Sequence, residues 1–275
     1  MTSIVFASGK GGVGKSSICL NMALILAKSG KKVVIVDADM AMANIGLLLG
    51  VERTPITLNQ VLSGENAIAD AVYEGPWGMR YVPSELSTDR LSSVDFSKLR
   101  DAVLELEKKY DYVLIDPAPG WMADAKSAMD AASEAFVILT PEPPAMADGL
   151  KVKNYLERKG TKLNGAIVNM SLNDPSEVKP KEIEALLGIK VAAVLPEDRA
   201  VRRASASQQP IALQSPHSPF MLALTKLAGQ ITGHAVILPE TKARKGILRS
   251  IVEFFSNLFR KKPKEQPAVQ PGNTH

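Results

Sequence analysis

Gly9-Lys10-Gly11-Gly12-Val13-Gly14-Lys15-Ser16 sits between a short apolar run, Ser3–Ala7, and a periodic Ala/Leu-rich stretch, Ser16–Ser29. The spacing Gly9-x-x-x-x-Gly14-Lys15-Ser16 is the phosphate-loop pattern, and a strand before it and a helix after it are the context it requires. Glycines let successive backbone N–H groups converge on phosphate oxygens with no side chain in the way. The following helix presents its positive end to the same anion. The phosphate-binding set is therefore Gly9, Lys10, Gly11, Gly12, Val13, Gly14, Lys15, Ser16 and Ser17. In this chemistry Lys15 contacts the β- and γ-phosphates and the Ser16 hydroxyl binds Mg²⁺. An ordinary glycine-rich turn is the bland alternative, and the flanking strand and helix disfavour it.

Working outward, Gly30 ends the first helix and Val33-Val34-Ile35-Val36 reads as a second strand that stops at Asp37-Ala38-Asp39. Short helices are expected at Ala43–Leu49 and Leu58–Leu62, then strands and turns over Ala71–Pro83 and a helix over Phe96–Tyr110. Tyr112–Ile115 is another continuous apolar strand, again ending on an aspartate, Asp116. Helices near Ala123–Ala132, Ala145–Arg158, Lys181–Leu187, Ala200–Ser207 and Pro219–Ile231 alternate with strands at Ala135–Thr140, Ala166–Asn169 and Val191–Leu195. Continuous Val/Ile/Leu strands alternating with helices predict an α/β fold, a mainly parallel sheet covered on both faces. Ligands in such folds lie beyond the carboxyl ends of the strands, where Asp37, Asp116 and Asn169 fall.

Composition narrows the class further. The 275 residues are 45% hydrophobic and 23% charged, which suits one globular domain with appendages. At 5% aromatic, the chain offers little for stacking on nucleic-acid bases. The single cysteine, Cys19, excludes an internal disulfide and reads as a small core residue. Neither a signal peptide nor an apolar span of about 18 residues is visible, so a cytoplasmic location is expected. From Lys242 onward eight basic residues face two acidic ones, giving +6, so the body before it carries −2 within a whole-chain charge of +4. The basicity belongs to the tail, and nucleic acid is not an expected partner of the body.

Lys10 is more discriminating than the rest of the loop. Lys-Gly-Gly-Val-Gly-Lys-Ser, with a second lysine inside, resembles the deviant phosphate loop of the MinD/ParA ATPases, and the MinD branch most closely. The likeness runs from about residue 3 to residue 232. It implies that Lys10 reaches across an ATP-dependent homodimer to the partner's phosphates, so that Lys10, Lys15 and Asp39 form the catalytic set. Val34-Ile35-Val36-Asp37-Ala38-Asp39 looks like the first switch strand. By that likeness Asp39 orients the attacking water near Mg²⁺, while Asp37 is free to hold the loop. Asp116 resembles the acidic residue that reaches Mg²⁺ through water, so the implied metal set is Ser16, Asp39 and Asp116. Asn169 resembles the adenine-contacting asparagine, and Pro196-Glu197-Asp198-Arg199-Ala200-Val201-Arg202-Arg203-Ala204 resembles the segment that packs over adenine, with Pro196, Glu197 and Asp198 the implied contacts; an Asn that simply ends a strand is the competing reading. Two stretches depart from the family pattern. Asp116-Pro117-Ala118-Pro119-Gly120 shifts the prolines of the second switch, and Met40-Ala41-Met42-Ala43-Asn44 lacks a common Gly and Arg. A regulatory or cargo protein is expected as a partner, and its identity is not implied.

Residues 1–237 are read as the ATPase domain, 238–245 as a linker, 246–262 as an amphipathic helix and 263–275 as a disordered polar end. In the helix, Ile247, Ile251, Phe254 and Leu258 form one apolar row, and Leu248, Val252, Phe255 and Phe259 the adjacent one. An apolar face bordered by Arg and Lys suits an anionic membrane surface; docking on the chain's own domain or on a protein would bury the same face. Burial of each large apolar side chain contributes roughly 1.5–3 kcal/mol, offset by ordering costs on the order of 1 kcal/mol per residue. One tail then binds moderately, and two tails on a dimer gain about 10²-fold or more in avidity. The expected function is a MinD-like ATPase that dimerises with ATP, associates peripherally with the inner face of the cell membrane and hydrolyses ATP to position a structure such as the division site. The alternatives are a DNA-partition ATPase, a flagellar-placement ATPase and an ATP-binding adaptor.

Overall fold

The computed structural model describes residues 1–51, 53–85 and 93–238, all within one compact unit, Met1–Glu240. The expected membrane-facing helix at 246–262, the linker beyond Leu238 and the 263–275 end lie outside the described residues.

In chain order the strands are β1 (Thr2–Ala7), β2 (Val33–Ala38), β3 (Tyr73–Glu74), β4 (Arg80–Val82), β5 (Tyr112–Pro117), β6 (Glu134–Leu139), β7 (Lys162–Ser171) and β8 (Val191–Pro196). The helices are α1 (Lys15–Lys28), α2 (Ile45–Leu48), α3 (Leu58–Leu62), α4 (Leu99–Glu107), α5 (Ala123–Ala131), α6 (Pro143–Arg158), α7 (Pro180–Leu187), α8 (Arg199–Ala206), α9 (Ile211–Gln214) and α10 (Pro219–Thr232). The strands make one sheet in the order β3-β4-β2-β5-β1-β6-β7-β8. Every pairing is parallel except that of β3 with β4.

Continuous apolar strands bury both faces, as their sequences require. Val5, Val34, Val36, Val113 and Ile115 pack with α4, α5, α6 and α7. Ile4, Phe6, Val33, Ile35 and Leu114 pack on the opposite face with α1, α8, α9 and α10. Because side chains alternate along a strand, Asp37 and Asp116, each two residues beyond an α1-facing Ile35 or Leu114, also fall on the α1 face. Helix α1 is apolar nearly all round and buried without interruption from Ile18 to Leu26. A helix of that kind belongs inside a fold, and truncating one of its leucines to Ala is expected to cost about 2–5 kcal/mol. Cys19 is a core residue of this helix, and burial raises its thiol pKa well above the ordinary range.

The strand order puts the ligand crevice at β1. From β1 the chain runs through α1 to β2 on one side, and β5 runs through α5 to β6 on the other. Loops that part in this way leave an opening at the strand ends, and the glycine loop occupies it.

Three elements differ from the sequence expectation. The helix expected from Phe96 starts as a 3₁₀ turn, Phe96–Lys98, capped by the Asp95 carboxylate, which accepts from the Ser97 N–H. Strand β7 is longer than its apolar centre: its start pairs with β6 from Lys162 onward, and the Lys162 and Asn164 side chains hydrogen-bond to Glu134. Helix α9 follows Pro210 and is only four residues long, too short for periodicity to mark it.

Candidate functional site

The phosphate loop joins β1 to α1, and its backbone is fixed from several directions. The Ser8 hydroxyl donates to the Lys10 carbonyl at 2.8 Å. Gly9 meets helix α6 so closely that an added Cβ would lie 2.9 Å from the Cβ of Asp148. Gly14, the residue before α1, has φ +89°, where a side chain is strained. Val13 turns inward and is buried. Among the sequence-predicted residues, Gly11, Gly12, Gly14, Lys15, Ser16 and Ser17 line one cavity of about 680 Å³. Lys15 is buried, and desolvation lowers its pKa although Asp116 and Asp39 pull it back up.

Three carboxylates stand behind and beside this loop. Asp37 and Asp116 face each other directly in the β2–β5 register, and both are fully buried. Asp37 is saturated with backbone donors: the N–H groups of Asn44 and Ile45 at 2.9 Å each, and that of Asp39 at 3.3 Å. It therefore ties the loop after β2 to the strand end. Burial, then the facing Asp116, push its pKa well up against those hydrogen bonds. Asp116 has no such donors. Neither of its carboxylate oxygens has a hydrogen-bond partner of normal geometry, although the Ser16 hydroxyl is close enough to draw its pKa down. Burial dominates and lifts Asp116 to about 7.

Asp39 lines the cavity and accepts from the Met42 N–H at 2.9 Å. Burial raises its pKa, the Met42 bond opposes this, and nearby Asp124 of α5 adds to the rise. An orphaned, buried carboxylate beside a helix-start hydroxyl and an anion-binding loop fits Mg²⁺ held partly by nucleotide phosphates. Ser16, Asp116 and Asp39 are the residues that would hold it. Among the described residues, no cage of three or more His, Cys, Asp or Glu competes with that arrangement.

The far end of the cavity is built from β7, β8 and α8. Asn169, Pro196, Glu197 and Asp198 all line it, together with Val201, Arg202 and Phe220. Their side chains are already engaged. The Asn169 amide donates to the Val13 carbonyl at 2.8 Å. Asp198 caps α8 by accepting from the Ala200 N–H at 2.8 Å. Burial alone would raise the pKa of Asp198, but that bond and those from Ser218 and Phe220 bring it below the ordinary range. Glu197 pairs with Arg202 at 2.8 Å on the surface.

Lys10 does not line the cavity. Its side chain is 56% exposed, 4.0 Å from a similarly exposed Glu142. Pro119 of the second switch reaches Gly11, and the Gly120 N–H approaches the Ser8 carbonyl at 3.4 Å, so the altered proline pattern still lies against the loop. Sequence reading missed Asp124, which lies near Asp39. Asp124 lies inside a helix whose charge pattern carries no signal for the site, whereas Arg202 belongs to the 196–204 stretch that the sequence singles out, and it lines the cavity.

The CobQ/CobB/MinD/ParA nucleotide binding domain family matches residues 4–211. An uncharacterized ATP-binding protein of Methanocaldococcus jannaschii is 37% identical over 257 residues, 94% of this chain and 96% of that protein. Among solved structures, the cell division ATPase MinD of Pyrococcus furiosus superposes with a TM-score of 0.81 at 33% identity, covering 84% of this chain and 98% of that one. The septum site-determining protein MinD of Pyrococcus horikoshii, complexed with Mg-ADP, superposes at 0.80 and 32% identity, covering 84% and 95%.

Proposed function

Because the chain belongs to the CobQ/CobB/MinD/ParA nucleotide-binding family, we propose that it is a MinD-like, Mg-dependent ATPase. It closes into a homodimer around ATP, associates with the inner face of the cell membrane and resets by hydrolysis, thereby positioning a cellular structure. Division-site selection is the role that the likeness to MinD proteins favours.

The observation that carries this reading is the convergence of Lys15, Ser16, Asp39 and an unpartnered Asp116 at the start of α1. Loop N–H groups and Lys15 neutralise the β- and γ-phosphates, which is the main demand of phosphoryl transfer. Mg²⁺, which Ser16, Asp39 and Asp116 would hold, would supply further charge neutralisation there. Asp39 lines the cavity, which supports a role in orienting the attacking water. Asp37 keeps that loop in place through its three backbone bonds. The exposure of Lys10, outside the set of residues that line the cavity, supports a role toward a second subunit's nucleotide rather than its own.

The membrane step rests on the tail sequence, with its two apolar rows and bordering basic residues. No helix among the described residues is long and apolar enough to cross a membrane. The test is pelleting with anionic liposomes under ATP, under ADP, and with ATP after removal of residues 246–275. Binding is expected in the first case alone. Equal pelleting in all three would reject an ATP-gated membrane switch.

A further inference from the structure

Asn169 makes a contact that base recognition does not explain. It is buried at the end of β7, yet its side-chain Nδ2 donates to the carbonyl of Val13, inside the phosphate loop and 156 residues away in sequence. The direction of this bond is fixed by chemistry, since a carbonyl only accepts and the amide nitrogen must face it. The two groups are in tight register: a Cβ at Gly14 would fall 2.4 Å from the same Nδ2. The backbone around Asn169 departs from a regular strand. Met170, the next residue, has φ +60°, and the β7–β8 register slips between Val168 and Ser171. Among the described residues no donor reaches Asn169 Oδ1, which belongs to a residue lining the cavity.

We propose that Asn169 is a positioning residue for the phosphate loop, holding the Val13 carbonyl so that the loop N–H groups stay aimed at phosphate. The inference rests on the nucleotide reading of this cavity. It adds that one side chain joins the base end to the phosphate end: Nδ2 sets the loop, and Oδ1 remains available to a base amino group.

Inorganic tripolyphosphate separates this role from base contact, because it has phosphates and no base. The experiment measures Mg-tripolyphosphate and Mg-ATP binding calorimetrically to full-length wild type and to Asn169→Leu, a neutral variant of similar size. Asn169→Ala serves as a second variant should leucine disturb folding, and thermal unfolding checks both. The strut predicts roughly fivefold weaker tripolyphosphate binding in the folded variants, the scale of one lost hydrogen bond, and a larger loss for ATP. Folded variants that lose ATP affinity while binding tripolyphosphate like wild type would overturn the strut and leave the nucleotide reading standing. Wild type that binds neither ligand would overturn both.

Discussion

The two ends of the cavity are built on different principles. At the phosphate end the groups are buried and preset: Lys15 and Asp39 are nearly inaccessible, Asp116 is fully enclosed, and the loop is held by Ser8, Asn169 and the close approach of α6. At the other end, where the base is proposed to lie, Glu197 and Arg202 are exposed and Asp198 is partly so, and their polar atoms serve the fold: Asp198 caps a helix and Glu197 pairs with Arg202. The difference teaches where the binding free energy resides. A desolvated cation opposite a triphosphate interacts in low dielectric, whereas an exposed ion pair contributes roughly 0–1 kcal/mol. Nucleotide affinity should therefore depend steeply on the phosphate end and weakly on the base end.

The largest expected effect is at Lys15. Lys15→Ala removes charge-assisted hydrogen bonds of about 1.5–3 kcal/mol each, so Mg-ATP affinity measured by calorimetry is expected to fall at least 100-fold. A loss under tenfold would break the comparison.

Next comes the buried carboxylate pair. Asp116 titrates at about 7 in the fold against an ordinary 3.8. Between those values the folded state keeps a proton that the unfolded chain has released, so the contribution of Asp116 to the stability of the metal-free protein falls as pH rises from about 4 to 7 and then levels off. One carboxyl shifted this far corresponds to at most roughly 4 kcal/mol across that window. Asp116→Asn is expected to flatten the decline in melting temperature with pH. It should also abolish the extra stabilisation that Mg²⁺ adds to nucleotide. A variant whose pH profile matches wild type would place the titration elsewhere.

Asp39→Ala is expected to lower kcat for ATP hydrolysis by about 100-fold, the lower range for a positioned acid–base group, while ATP affinity changes less than about threefold. Such a split between chemistry and binding would sharpen the contrast between an anchoring Lys15 and a water-orienting Asp39. The smallest effect is expected at the base end. Arg202→Ala breaks only an exposed pair, so ATP affinity should change by no more than about threefold. A loss as large as that at Lys15 would mean the two ends are energetically alike.

The sequence made the phosphate end legible for a physical reason. A continuous apolar strand ending on a single aspartate announces both the strand and the position of the carboxylate, and period-two alternation then places Asp37 and Asp116 on the face of α1. Local spacing likewise exposes the loop glycines, Lys15 and Ser16. What stayed hidden depends on distant partners. No local pattern reveals that Asn169 would grip Val13 or that Asp124 would approach Asp39. The partition of labour between Asp37 and Asp116 was equally hidden. They have the same strand-end context, yet one is saturated by the N–H groups of Asn44 and Ile45 while the other is left without partners.

The central claim is that two copies of the chain enclose Mg-ATP, each lending Lys10 to the other's triphosphate. Sedimentation velocity of the Asp39→Ala variant saturated with Mg-ATP tests it most directly. A dimer that reverts to single subunits with ADP, or when Lys10→Ala is added, is the expected result. A single subunit with Mg-ATP fully bound would contradict it.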